Sequence, residues 1–353
     1  MNETVKKLVE EFVSSNSTPK FIYRVNPYSS QIIEKIGVNK IKGILDWSVD
    51  MESHMGIPVI HDPKDVDGNA IVLNCVIHTY SVTVTQKLRK AGLRCIDLFD
   101  LMRYSDYRVS IPYWEGFYDS YQKNRAYYNE IYKKLSDDLS KKSFEVLLNL
   151  RLNFDNSHMT MFDASPANQY FEPFLKLNTE NEVFVDLGGF DGENTEYFVT
   201  HYPGYKKVYY FEPEPTIMRD AEKRLSLYRD IKFFMVAASD KKEILHFSSD
   251  SAASKVSDKG GIEVQADCLD HLLERDVTFL KMDVEGSEAA AIEGSRDIIM
   301  KCHPKLAICI YHRGGDFVDI PRQVLSIRSD YDLYVRHYSE GICDTVMFFV
   351  PKQ

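Results

Sequence analysis

The sequence predicts an α/β protein with two domains, the larger of which is a doubly wound sheet with an antiparallel final strand. From about residue 180 onward, short apolar strand patterns alternate with helical patterns, which is typical of a parallel sheet covered by helices. The last two strand patterns are joined by a short connection that contains Gly341, which predicts a hairpin at the sheet edge. A second alternation over residues 20–100 predicts a smaller α/β domain.

These patterns divide the chain into three segments. Residues 1–103 are predicted to form the small α/β domain, a degenerate Rossmann-like module, and residues 104–178 a helical connector. Residues 179–353 are predicted to form the large sheet. In the small domain, the turn after the first strand pattern has no glycine, although a phosphate cradle needs backbone that approaches closely. This favours a structural or assembly role for the small domain over a small-ligand site.

The connector and the large domain show different periodicities. In the connector, large apolar side chains recur at helical steps and predict one apolar helix face, made of Phe117, Tyr121, Tyr128, Tyr132, Leu135 and Leu139. This face is expected to pack against a neighbouring domain, with a few tyrosines lining an acceptor pocket as the alternative. In the large domain, apolar runs predict seven strands over residues 183–187, 208–212, 231–237, 278–283, 306–311, 331–338 and 345–350.

Composition limits the classes of function. The chain has 353 residues and a formal net charge of −10, which argues against non-specific binding to nucleic acid because such binding needs Lys and Arg. No apolar run approaches the ~18 residues that span a bilayer, and the start of the chain lacks the apolar core of a signal peptide. The six cysteines form no CxxC pair. These features predict a reduced, cytoplasmic protein. They are compatible with a homo-oligomer.

The loop after the first strand of the large domain predicts a cofactor site. Ligands of an open α/β sheet bind beyond the carboxyl ends of the strands, and this loop carries Asp186, Gly188, Gly189 and Gly192. It does not spell the GxGxxG pattern of dinucleotide sites, and a carboxylate there repels a diphosphate. The same carboxylate attracts an ammonium or sulfonium group, so the loop favours S-adenosylmethionine. A glycine-rich turn with solvated acids is the alternative.

Two further loops complete the predicted cofactor site. Glu212 ends the second strand pattern, where an acid accepts hydrogen bonds from the two hydroxyls of an adenosine ribose. The third loop is expected to border the adenine, either through a backbone contact near Ala238 or through the side chain of Asp240. A plain turn is the alternative for this third loop.

Charged residues after the fourth and fifth strand patterns predict the reaction centre. Asp283, Glu285 and Glu288 follow an apolar strand, where charges are costly unless a ligand or a partner balances them. Asp283 is interpreted as functional, whereas Glu288 is expected to serve the first turn of the next helix. His312 follows the fifth strand pattern and is expected at the same edge as a proton acceptor, with Asp316 as the candidate that orients it.

These stretches together resemble the FkbM family of methyltransferases. The likeness runs over roughly residues 170–352 and rests on "VFVDLGGFDGENTEYF", "VYYFEPEP", "VAASD", "FLKMDVEGSEAAAIEGS" and "LAICIYHRGGD". The resemblance implies a class I methyltransferase fold, S-adenosylmethionine as cofactor, and an oxygen acceptor that is often a sugar hydroxyl. It also implies that Asp186, Gly188 and Glu212 bind the cofactor and that Asp283 lies at the reaction centre. The small domain is similar to the nucleotide-binding-like module of some sugar-modifying enzymes.

The functional hypothesis is therefore an S-adenosylmethionine-dependent O-methyltransferase that acts on a hydroxyl of a sugar or glycan-type small molecule. In this hypothesis, the hydroxyl attacks the sulfonium methyl group while His312, assisted by Asp283, removes the proton. In a variant of the hypothesis, Asp283, Glu285 and His312 hold a divalent metal ion that lowers the pKa of the acceptor.

Three other classes of function fit the sequence less well. Methylation of nucleic-acid bases needs an N/D-P-P-Y/F/W arrangement or a Pro-Cys pair, and "MDVEG" supplies neither. An NAD-dependent sugar-modifying oxidoreductase needs glycines where Asp186 and Asp191 stand. A non-catalytic binding or scaffold protein on the same fold would lose the cofactor loop or the charges after the fourth strand, and this chain has both.

Overall fold

The structure is a computed structural model, and it describes residues 2–164, 169–248, 255–256 and 262–352. The chain separates into two compact units, each assembled from three stretches of chain. The N-terminal unit comprises Met1–Glu115, Phe144–Ala164 and His337–Cys343. The large unit comprises Gly116–Ser143, Ser165–Arg336 and Asp344–Gln353. The continuous domain boundaries drawn from the sequence, after residues 103 and 178, stay a prediction.

A six-stranded, mostly parallel sheet forms the centre of the N-terminal unit. Its strands are β1 (Lys20–Tyr23), β2 (Gly43–Leu45), β3 (Ser53–His54), β4 (Ile57–Ile60), β5 (Ile71–Asn74) and β6 (Arg94–Asp97). They follow the order β3-β4-β2-β1-β5-β6, and only β3 runs antiparallel to its neighbour. The accompanying helices are α1 (Asn2–Ser14), α2 (Pro27–Ile36), α3 (Ser81–Lys90) and α4 (Leu98–Tyr104).

The apolar patterns of the sequence explain this sheet. Strands β1 and β5 are buried along their whole length, as expected for central strands of a parallel sheet. Helix α2 begins after Asn26, whose side-chain oxygen accepts hydrogen bonds from the backbone of Tyr28 and Ser29. It ends at Gly37, where a φ of 99° suits glycine. The sequence did not predict the β3–β4 hairpin, because a two-residue strand carries no readable period.

A segment from near the end of the chain completes the N-terminal unit. In this segment, the carboxylate of Glu340 accepts hydrogen bonds from the backbone N–H of Thr83 at 2.7 Å and from its hydroxyl at 2.5 Å. The hydroxyl of Ser81 donates to the backbone carbonyl of Glu340 at 2.7 Å. Because the first N–H groups of a helix have no partner within the helix, Glu340 satisfies the beginning of α3.

A seven-stranded sheet forms the centre of the large unit. Its strands are β7 (Val183–Leu187), β8 (Lys207–Phe211), β9 (Ile231–Phe234), β14 (Phe279–Met282), β15 (Lys305–Cys309), β16 (Tyr331–His337) and β17 (Thr345–Pro351). They follow the order β16-β17-β15-β14-β7-β8-β9, with β17 antiparallel to β15. This confirms the predicted doubly wound sheet with an antiparallel final strand, and each observed strand lies within a few residues of its predicted position.

A second, smaller sheet in the large unit was not predicted. It consists of β10 (Ala237–Ala238), β11 (Glu243–Ser248), β12 (Lys255–Val256) and β13 (Ile262–Asp267), in the order β10-β13-β11-β12. Strand β10 has two residues, and the other three strands mix charged and apolar residues, so the sheet lacks the continuous apolar runs of the main sheet. Ala237, Val264 and Ala266 form its small buried cluster.

The helices of the remaining chain include the predicted helical stretch. They are α5 (Phe117–Lys134), α6 (Asp138–Asn153), α7 (Glu193–His201), α8 (Pro215–Leu225), α9 (Leu269–Leu272), α10 (Glu288–Glu293), α11 (Arg296–Cys302) and α12 (Asp316–Ile327). Phe117 and Tyr128 of the predicted apolar face are buried on α5. Leu139 is exposed, because α5 ends before it and the face does not continue onto α6.

The strand order creates a crevice beside β7. From β7 the chain continues to β8 and β9 on one side of the sheet, and then crosses to β14 and β15 on the other side. Loops that leave neighbouring strands in opposite directions open a space beyond the carboxyl ends of these strands. In the register between β7 and β14, Asp186 lies beside Lys281 and Leu187 lies beside Met282.

Candidate active site

A cavity of about 350 Å³ lies at the carboxyl ends of β7, β8 and β14. Small-molecule sites of this kind combine apolar walls with a few convergent polar groups. Its apolar walls include Phe190, Phe211 and Ile217, and its polar groups include Glu212 and Asp283. It is the crevice that the strand order predicts, so the loops after these strands hold the candidate ligand-binding residues.

The glycines of the first loop allow close approach of neighbouring parts of the unit. Gly188 lines the cavity with a φ of +69°, and a Cβ atom added there would lie 1.9 Å from the carbonyl oxygen of Asp283. A Cβ atom at Gly189 would lie 2.1 Å from the ring of Tyr210. Gly192, with a φ of +85°, precedes α7. Of these three, Gly188 is the one among the lining residues.

Asp186 does not face the cavity, contrary to the expectation from the sequence. Its side chain is fully buried, and its carboxylate pairs with the ammonium group of Lys281 at 2.9 Å and accepts a hydrogen bond from Thr195 at 2.7 Å. The ammonium group of Lys281 also donates to the carbonyl oxygen of Gly188 at 2.6 Å. Asp186 therefore fixes the glycine loop through Lys281, because Lys281 reaches the loop backbone and Asp186 holds Lys281.

Glu212 lies where the sequence predicted it, at the end of β8 and in the cavity wall. Its carboxylate accepts hydrogen bonds from the backbone N–H of Phe190 at 3.2 Å and of Glu214 at 2.9 Å. Burial raises the pKa of Glu212 to about 7, although these backbone hydrogen bonds and the charge of Lys281 act in the opposite direction. The carboxylate is thus close to its titration point at neutral pH.

The third loop contributes one of its two predicted residues to the cavity. Ala238, in β10, is buried and lines the cavity. Asp240 is exposed and accepts a hydrogen bond from the hydroxyl of Ser239 at 3.3 Å. Of these two residues, Ala238 is among those that line the cavity and Asp240 is not, and contact of either with an adenine stays a prediction.

Asp283 follows β14 and lies at the polar end of the cavity. Its carboxylate accepts a hydrogen bond from the hydroxyl of Tyr170 at 2.8 Å, and this hydroxyl in turn accepts one from Gln169 at 2.9 Å. Burial acts to raise the pKa of Asp283, but the charges of His312 and Lys281 and the Tyr170 hydrogen bond hold it below the usual value. Asp283 is therefore ionised at neutral pH.

His312 is surrounded by three carboxylates. Its Nδ1 lies 2.8 Å from Oε1 of Glu288, and its Nε2 lies 3.4 Å from Oδ1 of Asp283 and 3.6 Å from Oε2 of Glu285. Burial acts to lower the pKa of His312, but the hydrogen bond and charge of Glu288 and the charges of Asp283 and Glu285 raise it to about 9. The structure thus brings together His312 and Asp283, as the sequence predicted.

The roles of two residues of this cluster, Glu288 and Tyr170, were not predicted from the sequence. Glu288 was interpreted as serving the next helix, yet it is the hydrogen-bond partner of His312, and Asp316 instead accepts from the backbone N–H of Arg313. Tyr170 lies more than a hundred residues before Asp283, in a stretch without a strand pattern. The sequence contained one signal for Glu288, the group of acids after β14, but this signal does not show which way the Glu288 side chain points.

A second group of potential metal ligands lies elsewhere in the large unit. Asp267, Cys268 and His271 bring ligand atoms within 4.8 Å of one another, and the imidazole of His271 lies 2.9 Å from the carboxylate of Asp267. His271 is exposed, whereas His312 is buried.

Among the described residues, no helix is both long enough and apolar enough to span a membrane.

Comparison with known proteins agrees with this fold. Residues 186–333 match the family model of the methyltransferase FkbM domain. Among solved structures, the chain is similar to methyltransferase FkbM from Methylobacillus flagellatus, with a TM-score of 0.75 and 21% sequence identity over 98% of this chain and 92% of that chain. The search of the curated proteins gives no match.

Two other solved structures show weaker similarity. One is an rRNA methylase from Streptococcus thermophilus, with a TM-score of 0.35 and 13% identity over 57% of this chain and 96% of that chain. The other is fibrillarin from Aeropyrum pernix with natively bound S-adenosyl-L-methionine, with a TM-score of 0.34 and 14% identity over 52% of this chain and 76% of that chain. Both TM-scores are too low to support a conclusion about this chain. The family model of the methyltransferase FkbM domain, which residues 186–333 match, spans the loops after β7, β8 and β14.

Proposed function

We propose that this chain transfers a methyl group from S-adenosylmethionine to a hydroxyl of a sugar or glycan-type small molecule. The observation that carries the proposal is the arrangement of the cavity: Glu212 lies in one part of its wall, and Asp283, beside His312, lies in another. The first carboxylate suits an adenosine ribose, and the second pair suits a hydroxyl that must lose a proton. The FkbM domain match supports methyl transfer as the reaction class.

The cofactor role is assigned to residues of the first three loops. Glu212 accepts hydrogen bonds from the two ribose hydroxyls, and Ala238 borders the adenine. Gly188 lets the chain run close beside the cofactor, while Gly189 and Gly192 shape the turn. Asp186 acts through Lys281, and Asp240 has a minor role because its side chain is exposed.

The reaction is an in-line displacement. The acceptor oxygen forms a bond to the methyl carbon, the bond between this carbon and sulfur breaks, and sulfur keeps the electron pair. The hydroxyl proton passes to His312, with Asp283 beside it, in the molecules whose imidazole is neutral; this fraction grows as the pH approaches the His312 pKa of about 9. Alignment of the two reactants supplies up to roughly 7–11 kcal/mol in favourable cases, and general-base assistance contributes roughly 10²–10⁴-fold in rate.

The remaining predictions concern partners and location. The net charge of −10 favours a small acceptor over nucleic acid. The six cysteines form no CxxC pair, which supports a reducing, cytoplasmic compartment. A non-catalytic binding protein is the second candidate. Titration with S-adenosylmethionine, described next, separates it from the enzyme.

Calorimetric titration with S-adenosylmethionine tests the proposal, followed by transfer of a labelled methyl group to a panel of sugars. We expect Glu212→Gln to weaken cofactor binding by about 1.5–3 kcal/mol, roughly 10–100-fold, because it removes a charged acceptor. The control is Glu214→Gln, two residues away and outside the cavity wall, which should bind as the wild type does. Cofactor binding no tighter than millimolar in the wild type would reject the enzyme.

A further inference from the structure

The cluster around His312 has the composition and spacing of a cation site. Nε2 of His312, a carboxylate oxygen of Asp283 and one of Glu285 all lie within 4.8 Å of one another. A cation with bonds of about 2.1 Å to nitrogen and oxygen holds neighbouring ligand atoms about 3.0–3.5 Å apart. The observed separations from Nε2, 3.4 Å to Asp283 and 3.6 Å to Glu285, are close to this spacing.

The orientation of His312 also fits a metal ligand. Because an ionised carboxylate only accepts, the hydrogen bond to Glu288 places the proton of a neutral imidazole on Nδ1 and its lone pair on Nε2. Nε2 is the nitrogen nearest Asp283 and Glu285. Metal-binding histidines commonly donate their second N–H to a carboxylate, which fixes the ring and its tautomer. In this structure, Glu288, which is 1% exposed, is the carboxylate that accepts this hydrogen bond from His312.

The loop that carries Glu285 is fixed by the same acid. Oε1 of Glu288 accepts hydrogen bonds from the backbone N–H of Val284 at 3.1 Å and of Gly286 at 3.4 Å. Glu285 itself has a φ of +52°, a left-handed conformation that a residue with a side chain rarely adopts. Such strain is often found at ligand sites. Glu288 therefore holds two of the three potential ligands.

The cluster opens onto the cavity. Asp283 and Glu285 both line it, so a cation between them would face a bound acceptor. Three carboxylates surround one imidazole, and such a group of acids attracts a divalent cation. Carboxylate and imidazole ligands together suit first-row divalent metals such as Mn²⁺.

We propose that Asp283, Glu285 and His312 bind a divalent cation, oriented by Glu288, and that this cation holds the acceptor through a hydroxyl oxygen. The inference rests on the proposed methyl transfer and gives His312 the role of a ligand in place of the role of a base, since Nε2 has one lone pair. A cation that holds one hydroxyl oxygen readily accepts a second oxygen beside it, so acceptors with vicinal hydroxyls are favoured.

Mn²⁺ binding to the full chain tests the inference directly. The protein is stripped with a chelator and titrated with Mn²⁺ alone, and free Mn²⁺ is followed by electron paramagnetic resonance. We expect one bound equivalent, which Asp283→Asn and Glu285→Gln weaken more than about 100-fold and Glu288→Gln about 10–100-fold. His271→Ala, in the second ligand group, serves as the control and should bind Mn²⁺ as the wild type does. Circular dichroism melts establish that each variant is folded.

Each outcome decides a different point. Loss of Mn²⁺ binding in the Asp283 and Glu285 variants, with binding kept in His271→Ala, supports the inference, as does methyl transfer that stops on chelation and returns with Mn²⁺. A folded wild type that transfers methyl groups without binding Mn²⁺ overturns the cation and leaves His312 as the base. Mn²⁺ that is lost only in His271→Ala also overturns it. Mn²⁺ bound at Asp283 without any cofactor binding or methyl transfer overturns the proposed function instead.

Discussion

At the scale of single residues, Glu212 links burial to ligand binding. Its pKa is raised to about 7 because the carboxyl is buried in the cavity wall. Glu212 must be ionised to accept hydrogen bonds from two ribose hydroxyls, so protonation and cofactor binding compete. Cofactor affinity is therefore coupled to pH in the neutral range, where most carboxylates are already fully ionised.

We expect cofactor affinity to rise with pH up to about 7 and to level off above it. Below this pH, affinity should fall by roughly tenfold for each pH unit, because the proton on Glu212 must leave before the cofactor binds. Calorimetry at pH 5.5, 7 and 8.5, in buffers of different ionisation enthalpy, measures both the affinity and the proton released. In Glu212→Gln this pH dependence should disappear, and its persistence would assign it to another group.

The Asp186–Lys281 pair makes a stability prediction at the same scale. Lys281 is 1% and Asp186 0% exposed, so Lys281→Met leaves a buried, unpaired carboxylate. We expect a loss of about 3–5 kcal/mol in the free energy of unfolding, measured with urea. The double variant Asp186→Leu, Lys281→Met should lose less, since no uncompensated charge remains.

The exposed pair Lys301–Asp297 supplies the control for this prediction. The side chains of these residues are 46% and 37% exposed. Lys301→Met should cost no more than about 1 kcal/mol, because water screens a surface pair. Equal losses for Lys281→Met and Lys301→Met would show that the buried pair has no special role.

For the residues of the site, the sequence predicts some properties and not others. The type and chain position of Asp186, Glu212, Asp283 and His312 were readable, because charges after apolar strands are unusual. The direction of each side chain was not readable. Asp186 is turned toward Lys281 on the neighbouring strand, and the partner of His312 comes from α10. Such choices depend on strand register, which one sequence does not display.

At the scale of elements, the turn from β7 to α7 and the loop after β14 interlock at Gly188. We expect Gly188→Ala to destabilise the fold by about 2 kcal/mol or more, because the left-handed backbone alone costs about 1–2 kcal/mol. The added methyl group would also meet the carbonyl oxygen of Asp283 at 1.9 Å. Cofactor affinity should fall as well, since the loop lines the cavity.

Gly68→Ala is the matched control for this variant. No atom lies within 4 Å of a Cβ added at Gly68, so the substitution should leave the melting temperature almost unchanged. Thermal melts of both variants, followed by cofactor titration, measure the difference. Similar melting temperatures for the two variants would mean that the turn relaxes without consequence.

Elements were predictable in proportion to their apolar content. The strands of the main sheet are buried on both faces and read as continuous apolar runs, so they were found within a few residues. The small sheet from β10 to β13 was not found, because β10 and β12 have two residues each and the two longer strands mix charged and apolar residues.

At the scale of the whole molecule, the fold is shared more widely than the family model alone shows. The model covers residues 186–333, whereas the similarity to the Methylobacillus flagellatus structure covers 98% of this chain. The N-terminal unit is thus part of the shared fold. Its sheet was predictable from alternating strands and helices, but its use of residues 337–343 was not, because contacts between distant segments leave no local pattern.

The dependence of α3 on Glu340 bears on how such a gene can change in evolution. A recombination event that exchanged only the first 115 codons would import an α3 whose Ser81 and Thr83 were matched to another carboxyl-terminal segment. The first turn of the incoming helix would then lack the carboxylate that accepts its hydrogen bonds, as Glu340 does here for Thr83. Lineages of this architecture should therefore inherit the codons for α3 and for residues 337–343 together, and mosaic genes with breakpoints between them should be rare.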